Sequence, residues 1–334
     1  MWQVPFLLLL IIGTVLIIRQ QHAQPYQQEE GMAFGTFYRA SYQYERSLKS
    51  EIETALAGID AEFSMFNDTS TVARLNRGEQ VQLSDEFMDV AQLALDISRD
   101  TDGAFDITVA PLVNAWGFGF KTQQMPTSQQ VDSLLRLTGW QKLNLDTSKR
   151  QLVMAHKGMM LDFSAIAKGY GADAVARVMR EHGVVNFMIE IGGEMVTQGI
   201  SPKRLPWRIG VTKPVDDSLS VSGELQTVLN ITDRAIATSG NYRNFYYRGG
   251  RKYAHTIDPK TGYPVQHSVL SATVITDRCA TADAYATSIM VLGLEGAKKL
   301  LERHDELMAY LIYADDSGNN AVWFSPSLKD KIAE

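Results

Sequence analysis

Apolar residues are distributed along the chain with three different periods, and each period predicts a different kind of element. From Val4 to Ile18 the run VPFLLLLIIGTVLII is continuous, closed by Arg19 and a Gln-rich stretch to Gln28. At ~1.5 Å per residue it falls short of a hydrocarbon core of ~30 Å, although Met1 and Trp2 lengthen it. It reads as a signal-peptide core or a single anchor helix. A basic n-region and a small-residue cleavage site are both poorly matched, so an uncleaved anchor is expected. Beyond Gln28 the apolar positions become periodic. Ser47–Phe63 reads as an amphipathic helix with Ile52, Leu56 and Ile59 on one stripe. Ser84–Thr101 reads as a second, with Ser84 as N-cap and Phe87, Val90, Leu93, Leu95 and Ile97 as apolar positions.

Ala165–Glu181 is predicted helical and ended by Gly183, with helices also at Ala282–Leu292 and Leu294–His304. Strands are predicted at Met32–Arg39, Val184–Ile191, Trp207–Val211, Gln226–Ile231, Ala235–Thr238, Tyr253–Ile257, Val269–Ile275 and Met308–Ala314. The elements mix without a regular βαβ alternation, which argues for an α+β fold. The chain divides into an anchor-plus-linker segment, 1–28, and one large domain, 29–334.

Composition narrows the function. With 334 residues, 45% hydrophobic and 21% charged, the chain is an ordinary globular protein. A net charge of −6 argues against non-specific nucleic-acid binding. Cys279 is the only cysteine, so neither an intrachain disulfide nor a Cys-rich metal site is possible, and no Cys follows the apolar run to take a lipid.

Five segments gather small, polar and acidic residues where a core would want apolar ones. They are GAFDIT (103–108) with PLV and WGFG to Gly119; LDFSAIAKGY (161–170); IEIGGE (189–194); ATSGNYR (237–243) trailed by YAHTIDPKTGYP (253–264); and TADAYAT (281–287). Asp162 precedes a helix start whose free N–H groups favour a phosphate, and Lys168 lies in the first turns. Asp283 and Thr287 fall at i and i+4 on one helical face. A lone strand histidine such as His255 is usually structural but is also the obvious general base, whereas His22, His156, His182, His267 and His304 read as solvated. Each segment also has a plain structural reading: a helix-to-strand turn at GAFDIT, a helix cap at Asp162, a hairpin at Gly192-Gly193, a β-turn at DPKTG. Nucleotide-binding glycine motifs, HExxH and GxSxG are absent. The residues alone reach an α+β domain with oxygen-rich loops, suited to a hard cation such as Mg²⁺ and a phosphate-bearing ligand.

In this order, GAFDIT, PLV, WGFG, SAIAKGY, IGGE, ATSGNYRN, HTIDPKTGYPV and ADAYATS resemble the ApbE family, the FAD:protein FMN transferases, from about Met32 to about Leu311. The resemblance implies a single T-fold-like domain with a deep FAD cleft. It implies Mg²⁺-dependent transfer of FMN from FAD to a Ser or Thr of a flavoprotein acceptor, releasing AMP. Acceptors of the family are typically subunits of sodium-translocating NADH:quinone reductase and related membrane electron-transport complexes. Carried over by position, metal ligation is expected from Asp283, Thr287 and the Ala165 carbonyl. FAD contacts are expected from Phe34, Phe66, Ala104, Phe105, Asp106, Asp162, Lys168 and Ile257, with His255 as base. Family members usually have Met-Gly-Thr near the start, where this chain has Phe34-Gly35-Thr36. The implied location is the periplasmic side of the inner membrane, held by the N-terminal segment. Two rivals share the residues: an FAD pyrophosphatase yielding FMN and AMP, and a non-catalytic exported FAD-binding protein.

Overall fold

The computed structural model describes residues 3–120, 125–214, 224–242, 245–248 and 251–333. In chain order the elements are α1 (Gln3–Ala23), β1 (Tyr26–Ala33), β2 (Thr36–Gln43), α2 (Lys49–Phe63), α3 (Thr71–Asn76), α4 (Asp85–Asp100), α5 (Ala110–Ala115) and α6 (Ser128–Leu135). The hairpin of β3 (Leu143–Asp146) and β4 (Gln151–Met154) follows, then α7 (Ala167–Glu181), β5 (Phe187–Ile191), β6 (Glu194–Gln198), β7 (Trp207–Thr212), β8 (Leu225–Ile231) and β9 (Ala235–Gly240). The last third holds β10 (Phe245–Arg248), β11 (Arg251–Ala254), β12 (Val269–Thr276), α8 (Cys279–Leu301), β13 (Met308–Ala314) and β14 (Asn320–Phe324).

The α+β expectation holds, in a single domain. Eight strands form one antiparallel sheet in the order β1-β2-β5-β6-β9-β12-β13-β14. Period-two alternation divides its side chains between two cores. On β12, Ala272 and Val274 join the helical core with Ala280, Ala284 and Ile289 of α8. Ile275 turns the other way, to meet Trp207, Ile209, Leu229 and Ile231 of the separate β7–β8 ribbon. The sheet is therefore covered by helices on one face and by a second sheet on the other.

Several boundaries differ from the sequence expectation, each for a local reason. Met32–Arg39 is two strands, because Phe34 (φ 52°) and Gly35 (φ 72°) take left-handed conformations and turn the chain back. The two C-terminal helices are one element kinked at Gly293 (φ 70°, ψ −177°), where the predicted break lies. Ser84 caps α4 by accepting the Phe87 N–H at 3.0 Å. Strand β11 stops at Ala254, one residue before His255, so the predicted strand to Ile257 is shortened to a lone bridge between Ile257 and Pro264. Arg243 and Asn244 of the fourth segment lie outside the described residues.

Helix α1 exposes its apolar residues from Val4 to Ile18 on nearly all sides. Among the described residues, no helix is long and apolar enough to cross a membrane.

The helical core is knotted by three rings. Phe63 of α2 stacks on Phe87 of α4 with centroids 5.2 Å apart, and Phe163 closes the triangle at 5.2 and 5.4 Å. Phe163 is fully buried, and its neighbours Asp162 and Ser164 in the chain are thereby held outward. Phe163→Ala should lower the stability of the domain by about 3–5 kcal/mol, read from urea unfolding curves, since the cavity falls where three elements meet.

Candidate functional site

Helix α7 is where the site begins, because two glycines let other parts of the chain come unusually close to it. A Cβ on Gly169 would lie 2.4 Å from the Cys279 carbonyl oxygen, so only glycine permits α8 to cross there. A Cβ on Gly171 would lie 2.5 Å from the Phe34 ring, so the β1–β2 turn rests directly on the helix. Asp173, one turn further on, accepts the first two N–H groups of α8, from Cys279 at 2.9 Å and Ala280 at 3.0 Å. That carboxylate replaces the cap which Arg278 does not supply.

The crossing brings Lys168, Glu194 and Asp283 together. The Lys168 ammonium is 2.8 Å from Glu194 Oε1 and 3.8 Å from Asp283 Oδ2. Both carboxylates are almost completely buried, at 3% and 2% exposure. Glu194 stands there because Gly192 and Gly193 form the tight turn of the β5–β6 hairpin, which starts β6 with an inward-facing acid. Burial raises the Glu194 carboxyl to about 7, against the pull of Lys168. Burial also raises Asp283, again opposed by Lys168. Burial works against the Lys168 ammonium, but Asp283 and Glu194 outweigh it and raise its pKa. One ammonium thus serves two carboxylates, and the Oε2 atom of Glu194 is buried with no hydrogen-bond partner among the described residues.

Of the predicted metal ligands, Asp283 belongs to this cluster, Ala165 lies three residues before Lys168 and Thr287 four after Asp283. Gly169 N–H, which a regular helix would give to the Ala165 carbonyl, donates instead to Asp283 Oδ2 at 3.1 Å. Among the described residues no backbone N–H donates to Ala165. Thr287, one turn along α8 from Asp283, shares a hydrogen bond with the Ser239 hydroxyl at 3.1 Å. The donor set is therefore a carbonyl, a hydroxyl and a carboxylate, with an orphaned carboxylate oxygen alongside and more negative than positive charge. Those residues fit a hard cation. Among the described residues, no group of three or more His, Cys, Asp or Glu side chains is placed to hold a metal.

Beside the cluster opens a cleft of about 440 Å³, with Phe34, Phe63, Phe66, Ser164 and Lys168 in its lining. Phe66 is 71% exposed at the lip and lies 5.0 Å from Phe120, an aromatic that the sequence reading did not single out. Asp162 flanks Ser164, whose N–H it accepts at 2.8 Å. The remaining predicted contacts are not in the lining of this cleft. Phe105 packs in the core, and Ala104 is 4% exposed. Asp106 is fixed internally: Oδ1 takes the Thr108 N–H and hydroxyl, at 2.8 and 2.6 Å, and Oδ2 takes the Trp140 N–H at 2.8 Å. Its side chain is a staple, so a ligand would meet this segment mainly through backbone. Ile257 is buried beside Leu112, Trp116 and Val131. His255 lies edge-on to Phe118 at 6.4 Å.

Two histidines expected to be solvated are structural. His267 hydrogen-bonds the Met290 carbonyl at 2.7 Å, satisfying a group that the Gly293 kink releases, and burial lowers its pKa. His304 bridges Asp100 at 2.9 Å and Glu306 at 2.7 Å. His156 is exposed and His182 half-buried against Val178, while the side chain of His22 lies outside the described residues. The DPKTG segment turns, but as an α-turn and not the expected β-turn, since the Gly262 N–H, four residues on, donates to the Asp258 carbonyl at 2.8 Å.

Comparison with known proteins gives one answer. The ApbE family model matches residues 34–312. The chain is 36% identical over 320 residues to the FAD:protein FMN transferase of Escherichia coli (strain K12), covering 92% of this chain and 90% of that protein. It is 35% identical over 305 residues to that of Haemophilus influenzae, covering 86% of each. Among solved structures, the flavin transferase ApbE from Vibrio cholerae has a TM-score of 0.81 at 33% identity, covering 92% of this chain and all (100%) of that one. The ApbE protein of Thermotoga maritima also scores 0.81, at 26% identity, covering 93% of this chain and 100% of that one.

In the metal-free protein the raised Glu194 has a definite sign. Its folded pKa of about 7 lies above the ordinary 4.5, so the folded state holds the proton more tightly. The stability it contributes is full below pH 4.5 and is lost as pH rises through 7. Urea midpoints in EDTA should fall across that window, and Glu194→Gln should flatten the fall; an unchanged slope in the variant would locate the titrating group elsewhere.

Proposed function

The chain belongs to the ApbE family, and from that premise we propose how it acts. It is a transferase that moves FMN from FAD onto a protein. The finer reading is that the acceptor atom is a Thr or Ser hydroxyl of a flavoprotein, that Mg²⁺ assists, and that AMP is the second product. The observation that carries it is the Lys168–Glu194–Asp283 cluster at the edge of an aromatic-lined cleft.

Each group has a part that its surroundings suit. Phe34 and Phe66 line the cleft and would stack on a flat ring of FAD. Lys168, which is in the cleft lining, and the positive dipole end of α7, a helix of 15 residues, favour a pyrophosphate beside them. Asp283, Thr287 and the Ala165 carbonyl would hold Mg²⁺, which neutralises phosphate charge and stabilises the leaving AMP. His255 would take the proton from the acceptor hydroxyl as its oxygen attacks the FMN phosphorus. One phosphorus–oxygen bond forms to the acceptor, the pyrophosphate bond breaks, and its electron pair leaves with AMP. The exposed apolar residues of α1 support attachment of the chain to a membrane, with the transferase domain in the periplasm. Subunits of sodium-translocating NADH:quinone reductase or related membrane complexes are the proposed acceptors.

The test is intact mass of a Thr-containing acceptor domain after incubation with the protein, FAD and Mg²⁺. A gain of one FMN, absent without Mg²⁺, is expected. AMP in solution without a mass gain would mean hydrolysis, and neither product would mean a flavin binder. His255→Ala should bind FAD as the parent does and transfer about 10²–10⁴-fold more slowly; parental rates in that variant would remove His255 from the proton transfer.

A further inference from the structure

The end of strand β9 is tied to two groups that the transfer needs. Its pairing with β12 reaches Gly240, opposite Ser271, and the Asn241 N–H carries it one residue further by donating to the Leu270 carbonyl at 3.0 Å. Ser239 and Asn241, two positions apart on paired chain, therefore put their side chains on the same face. Each is fastened to a different element. The Ser239 hydroxyl shares its 3.1 Å hydrogen bond with Thr287, a predicted metal ligand on α8. The Asn241 side-chain oxygen accepts the Thr256 hydroxyl at 2.8 Å, and Thr256 directly follows His255.

The second tie is buried and spans the chain. Asn241 and Thr256 are each 8% exposed and lie 15 positions apart. A buried hydroxyl and amide are costly to leave unpaired, so each holds the other in place. The bond matters for His255 because the β10–β11 ladder stops one residue short of it, at Ala254 opposite Phe245. On the other side of His255, Thr256 is fixed twice. Its carbonyl accepts the Val265 N–H at 3.0 Å, and its hydroxyl is held by Asn241. Without the Asn241 bond, Thr256 keeps a single backbone bond about which it can turn, and the His255 imidazole turns with the backbone that carries it.

We propose that Asn241 is a positioning residue for the transfer: through the Thr256 hydroxyl it orients His255, and through the strand end it shares with Ser239 it does so at a set place relative to Thr287. The inference rests on the transferase reading and on His255 as its base. A base meets the acceptor hydroxyl at about 3 Å, and a displacement of about 1 Å costs on the order of 10²-fold in rate. Asn241 therefore acts on kcat.

The test measures FMN addition by the full chain, with FAD, Mg²⁺ and a Thr-containing acceptor domain, and takes rates per FAD-binding molecule so that unfolded protein does not count as slow protein. In Asn241→Ala and Thr256→Val, kcat should fall about ten-fold to 10²-fold while the KM values for FAD and acceptor stay near those of the parent. Thr256→Ser keeps the hydroxyl and should restore most of the rate. In a His255→Ala background, Thr256→Val should cost nothing further, because a residue that acts through the base has no effect once the base is gone. Parental kcat in Asn241→Ala and Thr256→Val overturns the positioning role alone, and so does an undiminished loss in the His255→Ala background, which would mark the bond as merely structural. A His255→Ala protein that transfers at the parental rate removes the base and the positioning role with it, and a parent that adds FMN to no acceptor domain removes the transferase reading.

Discussion

One ammonium between two buried carboxylates is the constraint on which the site depends. Lys168 cannot reach both Glu194 and Asp283 unless α7 and α8 cross closely, and that crossing needs the absence of a side chain at Gly169. It also needs α8 to begin at one place, which Asp173 secures by accepting the N–H groups of Cys279 and Ala280. On the third side Glu194 is delivered by the shortest turn available to the β5–β6 hairpin. Helix, helix and sheet therefore meet at a charge cluster that no one of them could bury by itself. A buried cluster of this kind is costly unless its charges are matched. Here they are not fully matched, and the orphaned Glu194 oxygen and the released Ala165 carbonyl mark the side on which a cation would complete it.

The cleft follows from the same arrangement. The aromatic triangle of Phe63, Phe87 and Phe163 fixes α2 against the loop that enters α7, so Ser164 faces the cleft. Phe34 then closes one wall by resting on Gly171. An FAD-sized ligand presents a flat ring system and a pyrophosphate, and the cleft offers aromatic surface and an ammonium in the same neighbourhood.

Much of this was legible in the sequence, and the parts that were not have physical causes. The stripe Ile52, Leu56, Ile59 and the Ser84 cap were readable because local patterns decide them, and so was the break at Gly293. The eight-strand order was not, since pairing β2 with β5 or β9 with β12 is a contact between distant residues. The hairpin at Phe34-Gly35 escaped because a left-handed Phe is rare and has no strong signal. Asp106 is expected at an FAD contact from the resemblance alone, and only the fold reveals that Trp140 and Thr108 occupy its oxygens. His267 and His304 looked solvated because their partners, Met290 and Asp100, are brought to them by packing. Glu194 stood in a recognised segment, yet its role depends on a lysine 26 residues earlier in the chain.

The central claim is that the Lys168–Glu194–Asp283 cluster is built to take a divalent cation. Calorimetric titration of Mg²⁺ into the FAD-loaded protein tests it most directly, with Asp283→Ala as the comparison. The account predicts a single binding event in the parent that is lost or strongly weakened in the variant, because an anionic oxygen donor for a hard cation is gone. Equal Mg²⁺ binding by parent and variant, or none by the parent, would contradict it.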